Sequence, residues 1–183
     1  MGALLTTFNS EANRVAMHAV RRALVEVQAE GTGSRSGRWS CPGRALTWNT
    51  KSGCEPCASV PCLKESPLSH SETRVRQLQD SGLEARFPVR QIPTEQLGRD
   101  MIAAGVKAKI SCVDPSKLAK SFAGHEYDLG LLQALSLGID RCGENGEFHT
   151  FVYDAPVFSR PIAVRTGEVV ERDGFAFADF LPE

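Results

Sequence analysis

The chain has 183 residues, 42% of them hydrophobic, with 21 Lys and Arg against 22 Asp and Glu. That length suits one ordinary domain or two small ones and is enough to bury a core. The balanced charge excludes a global field favouring nucleic acid or an anionic membrane, and no apolar run approaches bilayer length. The opening Met1-Gly-Ala-Leu-Leu-Thr-Thr-Phe8 is too short and too uncharged for a signal peptide, which predicts a soluble cytoplasmic protein with mostly reduced cysteines.

In chain order, Leu4–Phe8 reads as a short buried strand, and Asn9 and Ser10 offer an N-cap. Ala12, Val15, Ala16, Ala19, Val20, Ala23, Leu24 and Val27 then recur at helical spacing, predicting one amphipathic helix with Arg14, His18, Arg21 and Arg22 largely off its apolar face. A strand feeding a helix suggests the first βα unit of an α/β domain. From Gly31 to about Arg76 apolar periodicity vanishes, and Ser, Gly, Arg, Pro and Cys take over. So long a loop inside a compact domain argues against a simple element assignment.

Order returns at Phe87. Pro93-Thr94 opens a helix through Leu97, Met101 and Ile102, closed by Gly105. Val106, Ala108, Ile110 and Cys112 alternate with Lys107, Lys109 and Ser111, predicting a half-exposed strand. A second helix is expected over Asp128–Leu135 with Leu129, Leu132 and Leu135 inward. Strands are expected at Ile162–Thr166, Val169–Arg172 and Phe175–Phe180, with a turn at Gly167 and a hairpin at Asp173-Gly174. The C-terminal half therefore reads as α+β with an antiparallel meander.

Several groupings invite chemistry. Cys54-x2-Cys57 with Cys41 and Cys62 resembles a thiolate set for zinc, but the second pair is not a tight knuckle, so no metal site is expected. Gly31-Thr-Gly33-Ser-Arg-Ser-Gly37 follows a helix rather than a strand and lacks the lysine of a phosphate loop. His18 and Arg21 are one helical turn apart, placed either to meet a phosphate or to face solvent. Cys142-Gly-Glu-Asn-Gly-Glu-Phe-His-Thr-Phe-Val-Tyr-Asp154 is the densest run. A glycine-bracketed turn feeds a strand from Glu147 to Asp154, in which Glu147, His149, Phe151 and Tyr153 share one face. Such a turn suits either a plain surface hairpin or a grip on substrate by side chains and backbone N–H groups together.

That run resembles the C-terminal signature of the diphthine–ammonia ligase family, C-G-E-G-G-E-[FY]-x-T; Asn145 replaces the commoner glycine, a variation associated with bacterial members. The resemblance extends over Phe87–Glu183, including Gly105-Val-Lys-Ala-Lys-Ile-Ser-Cys-Val-Asp-Pro115 and Ser121-Phe-Ala-Gly124. It recurs at Leu4–Glu30, where Met17-His-Ala-Val-Arg21 is similar to M-H-G-V-R. It implies an α/β fold: the remnant of an N-terminal Rossmann-like (HUP-type) ATP-binding domain at 1–30, an aberrant segment at 31–76, and a C-terminal α+β substrate-type domain with antiparallel strands at 82–183. It also implies ATP as cosubstrate, with adenylation of a carboxylate and displacement of AMP by ammonia. In eukaryotes and archaea that carboxylate belongs to diphthine, a modified histidine of an elongation factor. His18 and Arg21 would lie toward the nucleotide, and Glu144, Asn145, Glu147, His149 and Thr150 would line the substrate side. The chemistry needs no protein nucleophile, so no acid, base or nucleophile is assigned.

The chain departs from this pattern twice. The family's S-G-G-K-D-S phosphate loop is absent from the sequence, so the expectation is a truncated member, inactive alone. The middle also departs. Read one base out of frame with suitable synonymous codons, Ser34–Thr47 gives L-P-L-W-S-V-E-L-P-W-P-C-S-N, and Ser69–Thr73 gives A-F-G-D. Both are similar to family segments in the right order, which suggests a frameshift. A second function class remains open: residues 82–183 as a non-catalytic binding or self-associating module, with a homo-oligomer as one form. A poorly folded product is the third.

Overall fold

A type I′ turn at Asp173-Gly174, with φ of 52° and 82°, closes the hairpin that the D-G dipeptide predicts and pairs Arg172 with Phe175. The computed structural model describes residues 3–9, 13–15, 18–33, 35–41, 44–50, 89 and 91–183, with the strands at 3–9, 35–41 and 44–50 described by backbone alone. Residues 1–53 and 94–183 form one compact unit and 54–93 a second. Of the second, only Val89, Gln91, Ile92 and Pro93 are described. The expected Ser10 cap, Met17 and the cysteines at 54, 57 and 62 lie outside the described residues.

The C-terminal sheet has the order β6-β5-β8-β7 and is antiparallel throughout. Its strands are β5 (Lys107–Val113), β6 (Phe148–Asp154), β7 (Val164–Arg172) and β8 (Phe175–Pro182). Two helices accompany it, α2 (Thr94–Ala103) and α3 (Leu129–Ala134). Gly105, at φ 87°, takes the left-handed conformation that ends α2, as its sequence position implies. The Asp128 carboxylate caps α3 by accepting from the Leu131 N–H.

Four sequence expectations need correction here. In α3 it is Leu131, Leu132 and Leu135 that are buried, while Leu129 is exposed, because the helix is too short to carry a full apolar stripe. β5 is not half-exposed: from Ile110 onward every residue is buried. A bulge at Ser111 breaks the alternation, and β5 is covered on both flanks by β6 and β8. Gly167 does not turn the chain; with Glu168 it forms a bulge inside one continuous strand β7. A Cβ on Gly167 would sit 3.1 Å from the Asp179 carbonyl, which explains the glycine.

The fourth concerns the N-terminal helix. The expected helix from Ala12 is a turn at Asn13, a short strand β2 (Arg14–Val15), and then α1 (Arg22–Gly31). Asn13 and Ala19 both adopt φ of 51°, incompatible with a right-handed helix, and Arg14 forms a β-bridge with Arg21. Tertiary contacts of Arg14, His18 and Arg21 override the helical spacing. β1 (Ala3–Asn9) pairs with β2 and with β4 (Arg44–Thr50), which pairs with β3 (Arg35–Cys41), giving the order β2-β1-β4-β3. All these pairings are antiparallel, whereas a Rossmann-like unit is built on parallel strands. The described strands therefore do not carry that part of the expectation. The 35–50 hairpin also falls where no strand was expected.

One core runs through the compact unit. Val20 and Leu24 join Ala108, Ile110, Val113, Leu132, Phe148, Phe151 and Phe180 in a single cluster. The carbonyl end of α1 is fixed to the C-terminal part by the Ser159 N–H donating to Gly31 O at 2.8 Å, and by Gln28 Nε2 donating to Val152 O.

Candidate functional site

The Cys142–Gly146 loop is organised by two carboxylates beneath it. Asp140 Oδ1 accepts from the N–H groups of Cys142 and Glu144 at 2.8 and 3.2 Å, and its Oδ2 accepts from Thr94 Oγ1 at 2.7 Å at the start of α2. Glu147, only 2% exposed, accepts from Asp140 N, Asn145 N and Asn145 Nδ2 at 3.0, 3.0 and 3.2 Å. The N–H groups of Gly143 and Gly146 bond to the carbonyls of Asp140 and Gly143. Every backbone donor from Cys142 to Gly146 thus has an internal acceptor. The expected grip on substrate by these N–H groups is not available, because the loop uses them to hold its own shape.

Gly143 (φ 72°) is obligatory, since a Cβ there would lie 2.5 Å from the Phe148 carbonyl. Outside the loop remain the exposed Glu144 and Asn145. Lys117 Nζ donates to the Asn145 carbonyl at 2.8 Å and lies 3.5 Å from Asp114. The buried Tyr127 hydroxyl donates to the Arg141 carbonyl at 2.7 Å. Cys142 Sγ donates to the Thr94 carbonyl, and burial pushes its thiol upward, so it stays protonated.

Of the residues expected on the substrate side, Glu144 and Asn145 are exposed, the Asn145 amide nonetheless reaching Glu147, and Glu147 is buried as the loop's anchor. His149 and Thr150 follow Phe148 in β6, and beside them lies His18, which was expected on the nucleotide side. The imidazole rings of His18 and His149 lie 4.4 Å apart, centroid to centroid, with planes tilted by 41°. Burial lowers the His18 pKa, partly opposed by a hydrogen bond to the Thr150 backbone. Burial, and then the nearness of His18, push His149 down to about 4. At neutral pH both are uncharged. A base that weak is poorly matched to proton abstraction near pH 7 and better suited to neutral hydrogen bonding. Cys112 is the register partner of His149 on β5, and burial pushes its thiol up to about 12, which makes it inert as a nucleophile.

Arg21 does not stand free. With Arg14 it holds Asp179 of β8, whose carboxyl is held at about 2 chiefly by the Arg21 hydrogen bonds. The cavity lined by Val27, Glu30, Gly31, Ser159, Arg160 and Ile162 measures about 170 Å³, below the ~300 Å³ at which small-molecule pockets begin. Neither His18 nor Arg21 lines that cavity. No group of three or more potential metal ligands occurs among the described residues, and no helix among them is long and apolar enough to cross a membrane.

Sequence reading missed Asp140 and Asp179. Asp140 had a signal: an aspartate two residues before a glycine-bracketed loop is a candidate Asx-turn, which its bond to Cys142 N realises. Asp179 had only its position as a charged residue in an apolar strand.

An antiparallel four-stranded sheet, flanked by two short helices and bearing a carboxylate-anchored loop at the entry to an edge strand, defines a small α+β domain. Residues 93–178 match the family described as Diphthamide synthase C-terminal domain. The chain is 37% identical over 89 residues to diphthine–ammonia ligase of Rattus norvegicus and 40% identical over 90 residues to that of Mus musculus; each match covers 46% of this chain and 33% of the relative. It is 31% identical over 109 residues to that of Schizosaccharomyces pombe, covering 56% and 18%. The matches to the two rodent relatives thus span a third of those proteins' length.

Proposed function

We propose that residues 82–183 are the substrate-side domain of an ATP-dependent carboxylate–ammonia ligase of the diphthine–ammonia ligase type, and that residues 1–30 are this chain's share of the nucleotide side. The observation that supports the reading most is the contact of His18 with His149: it joins the M-H-A-V-R segment to the signature strand, the two stretches most similar to the family. On this reading Glu144, Asn145, His149 and Thr150 meet the substrate, Glu147 positions the loop from below, and His18 and Arg21 face the nucleotide side. ATP supplies the adenylating group. The chain's own residues orient the acceptor and exclude water; the two imidazoles, neutral at pH 7, serve as hydrogen-bond partners without adding charge. The sequence contains no S-G-G-K-D-S run, so turnover by this chain alone is not expected, and residues 31–76 correspond to a displaced reading frame. The cytoplasm is the compartment that fits this substrate chemistry.

Calorimetry with ATP, with AMP release followed in parallel, tests the assignment. ATP binding with AMP release in the presence of a carboxylate acceptor and ammonium would establish a competent ligase. Acceptor binding indifferent to ATP would establish the substrate-side domain without catalysis. Absence of both removes the reading. Sequencing the gene tests the frame: stop codons in the alternate frame between Gly33 and Thr73 would exclude it.

A further inference from the structure

Arg14 and Arg21 face each other as a β-bridge pair, and both guanidiniums close on one carboxylate. Arg14 Nη1 donates to Asp179 Oδ1 at 2.9 Å and to the Ala19 carbonyl at 2.8 Å. Arg21 donates through Nε to Oδ1 at 2.9 Å and through Nη2 to Oδ2 at 2.6 Å. Like charges on cross-strand partners repel, so this loop needs an anion between them. A single forked arginine would be enough to tether the segment; the second, held in place by a loop with φ of 51° at both Asn13 and Ala19, is additional. Asp179 itself sits on the partly exposed face of β8, in the regular alternation of that strand, and since Thr166 pairs with Phe180 and Val169 with Ala178 it is the one residue opposite the Gly167–Glu168 bulge. The Arg21 side chain is 41% exposed and that of Asp179 20%, so solvent reaches the cluster.

We propose that the Arg14–Arg21 loop is an oxyanion clamp for a phosphate-class ligand, and that Asp179 is its internal occupant, displaced when the ligand enters. Two convergent guanidiniums presenting fixed donors match a phosphate as well as they match a carboxylate. In the ligand-free chain the Asp179 carboxylate offsets one of the two guanidinium charges and holds Arg14 and Arg21 to β8. In the liganded chain the phosphate takes the same donors and Asp179 turns to solvent. The clamp rests on the nucleotide-side reading of Arg21 only for the source of its anion.

Calorimetry on the full 183-residue chain, at matched ionic strength, compares inorganic phosphate, ATP and acetate. Asp179→Asn should bind inorganic phosphate about tenfold more tightly than the unmodified chain, and the gain should vanish in Arg21→Gln/Asp179→Asn. Phosphate binding unchanged by Asp179→Asn, or a gain that survives loss of Arg21, overturns the clamp. Acetate binding as tightly as phosphate overturns the phosphate class. ATP binding more tightly than phosphate identifies a nucleotide as the source; equal binding keeps the clamp and removes that source. Should Asp179→Asn fail to fold, the unmodified chain decides: phosphate should shift the Asp179 carboxyl carbon resonance toward that of a solvated carboxylate, and an unmoved resonance overturns the proposal.

Discussion

The ring of His18 packs on the ring of His149, with centroids 4.4 Å apart, and each lies in an environment that favours the uncharged form. Folding lowers His149 from 6.5 to about 4, so between those values the folded chain binds fewer protons than the unfolded one. The stabilisation is complete above 6.5 and is lost as pH falls through about 4. Asp179 contributes a separate stabilisation that is complete above 3.8 and is lost as pH falls through about 2. Thermal melting across this range should show the histidine-linked decline, and His149→Gln should flatten it without touching the lower one. An unchanged slope in His149→Gln would locate the titration elsewhere.

Glu147 is a positioning residue, and its replacement should be felt as lost stability. Glu147→Ala leaves Asp140 N, Asn145 N and Asn145 Nδ2 without their acceptor in a buried site. Hydrogen bonds to a charged acceptor are worth about 1.5–3 kcal/mol each, with strong non-additivity, so a loss of about 3 kcal/mol in urea denaturation is expected. Glu144→Ala, at an exposed position on the same loop, should change stability by less than about 0.5 kcal/mol. Equal losses would contradict the division between anchor and outward carboxylate.

Ser111 is fully buried, and among the described residues its Oγ has no hydrogen-bond partner. An unpaired buried hydroxyl is unfavourable, so Ser111→Ala should be neutral or stabilising by up to about 1 kcal/mol. A clear loss of stability would instead mean that the hydroxyl is satisfied by a bound water or ligand.

Two glycines with positive φ should respond differently to alanine. At Gly143 the new Cβ would meet the Phe148 carbonyl at 2.5 Å, whereas at Gly174 (φ 82°) it would meet nothing within 4 Å. Gly174→Ala pays only for its backbone conformation, about 1 kcal/mol. Gly143→Ala adds a backbone clash and should exceed 2 kcal/mol. Paired melts of the two variants test this.

The parts of the fold visible in the sequence are those governed by neighbours in the chain. Gly105 ending α2 and the Asp173-Gly174 turn each follow from a residue type at a fixed offset. Arg14 to Arg21 misled because helical spacing was real, yet three of its polar residues find partners more than a hundred positions away, at His149, Thr150 and Asp179. The Cys142–Asp154 run was legible as a turn feeding a strand, but not that Glu147 is buried while Glu144 is exposed. Strand alternation stops at the turn, and the number of donors surrounding Glu147 is a property of the folded loop.

The two irregularities in the β5–β6 pairing cancel. Lys107 lies opposite Asp154 and Cys112 opposite His149, but between them Ala108, Lys109 and Ile110 are shifted by one residue, with Ser111 extra on β5 and Tyr153 extra on β6. The two strands therefore work as a vernier, in phase at both ends and offset in the middle. Deleting Ser111 alone would leave the offset from Tyr153 uncorrected and displace His149 relative to Cys112, whereas deleting both would restore a straight ladder. In this protein, the distance of the signature histidine from its partners is set by a residue count on the neighbouring strand, at a position whose hydroxyl has no hydrogen-bond partner among the described residues.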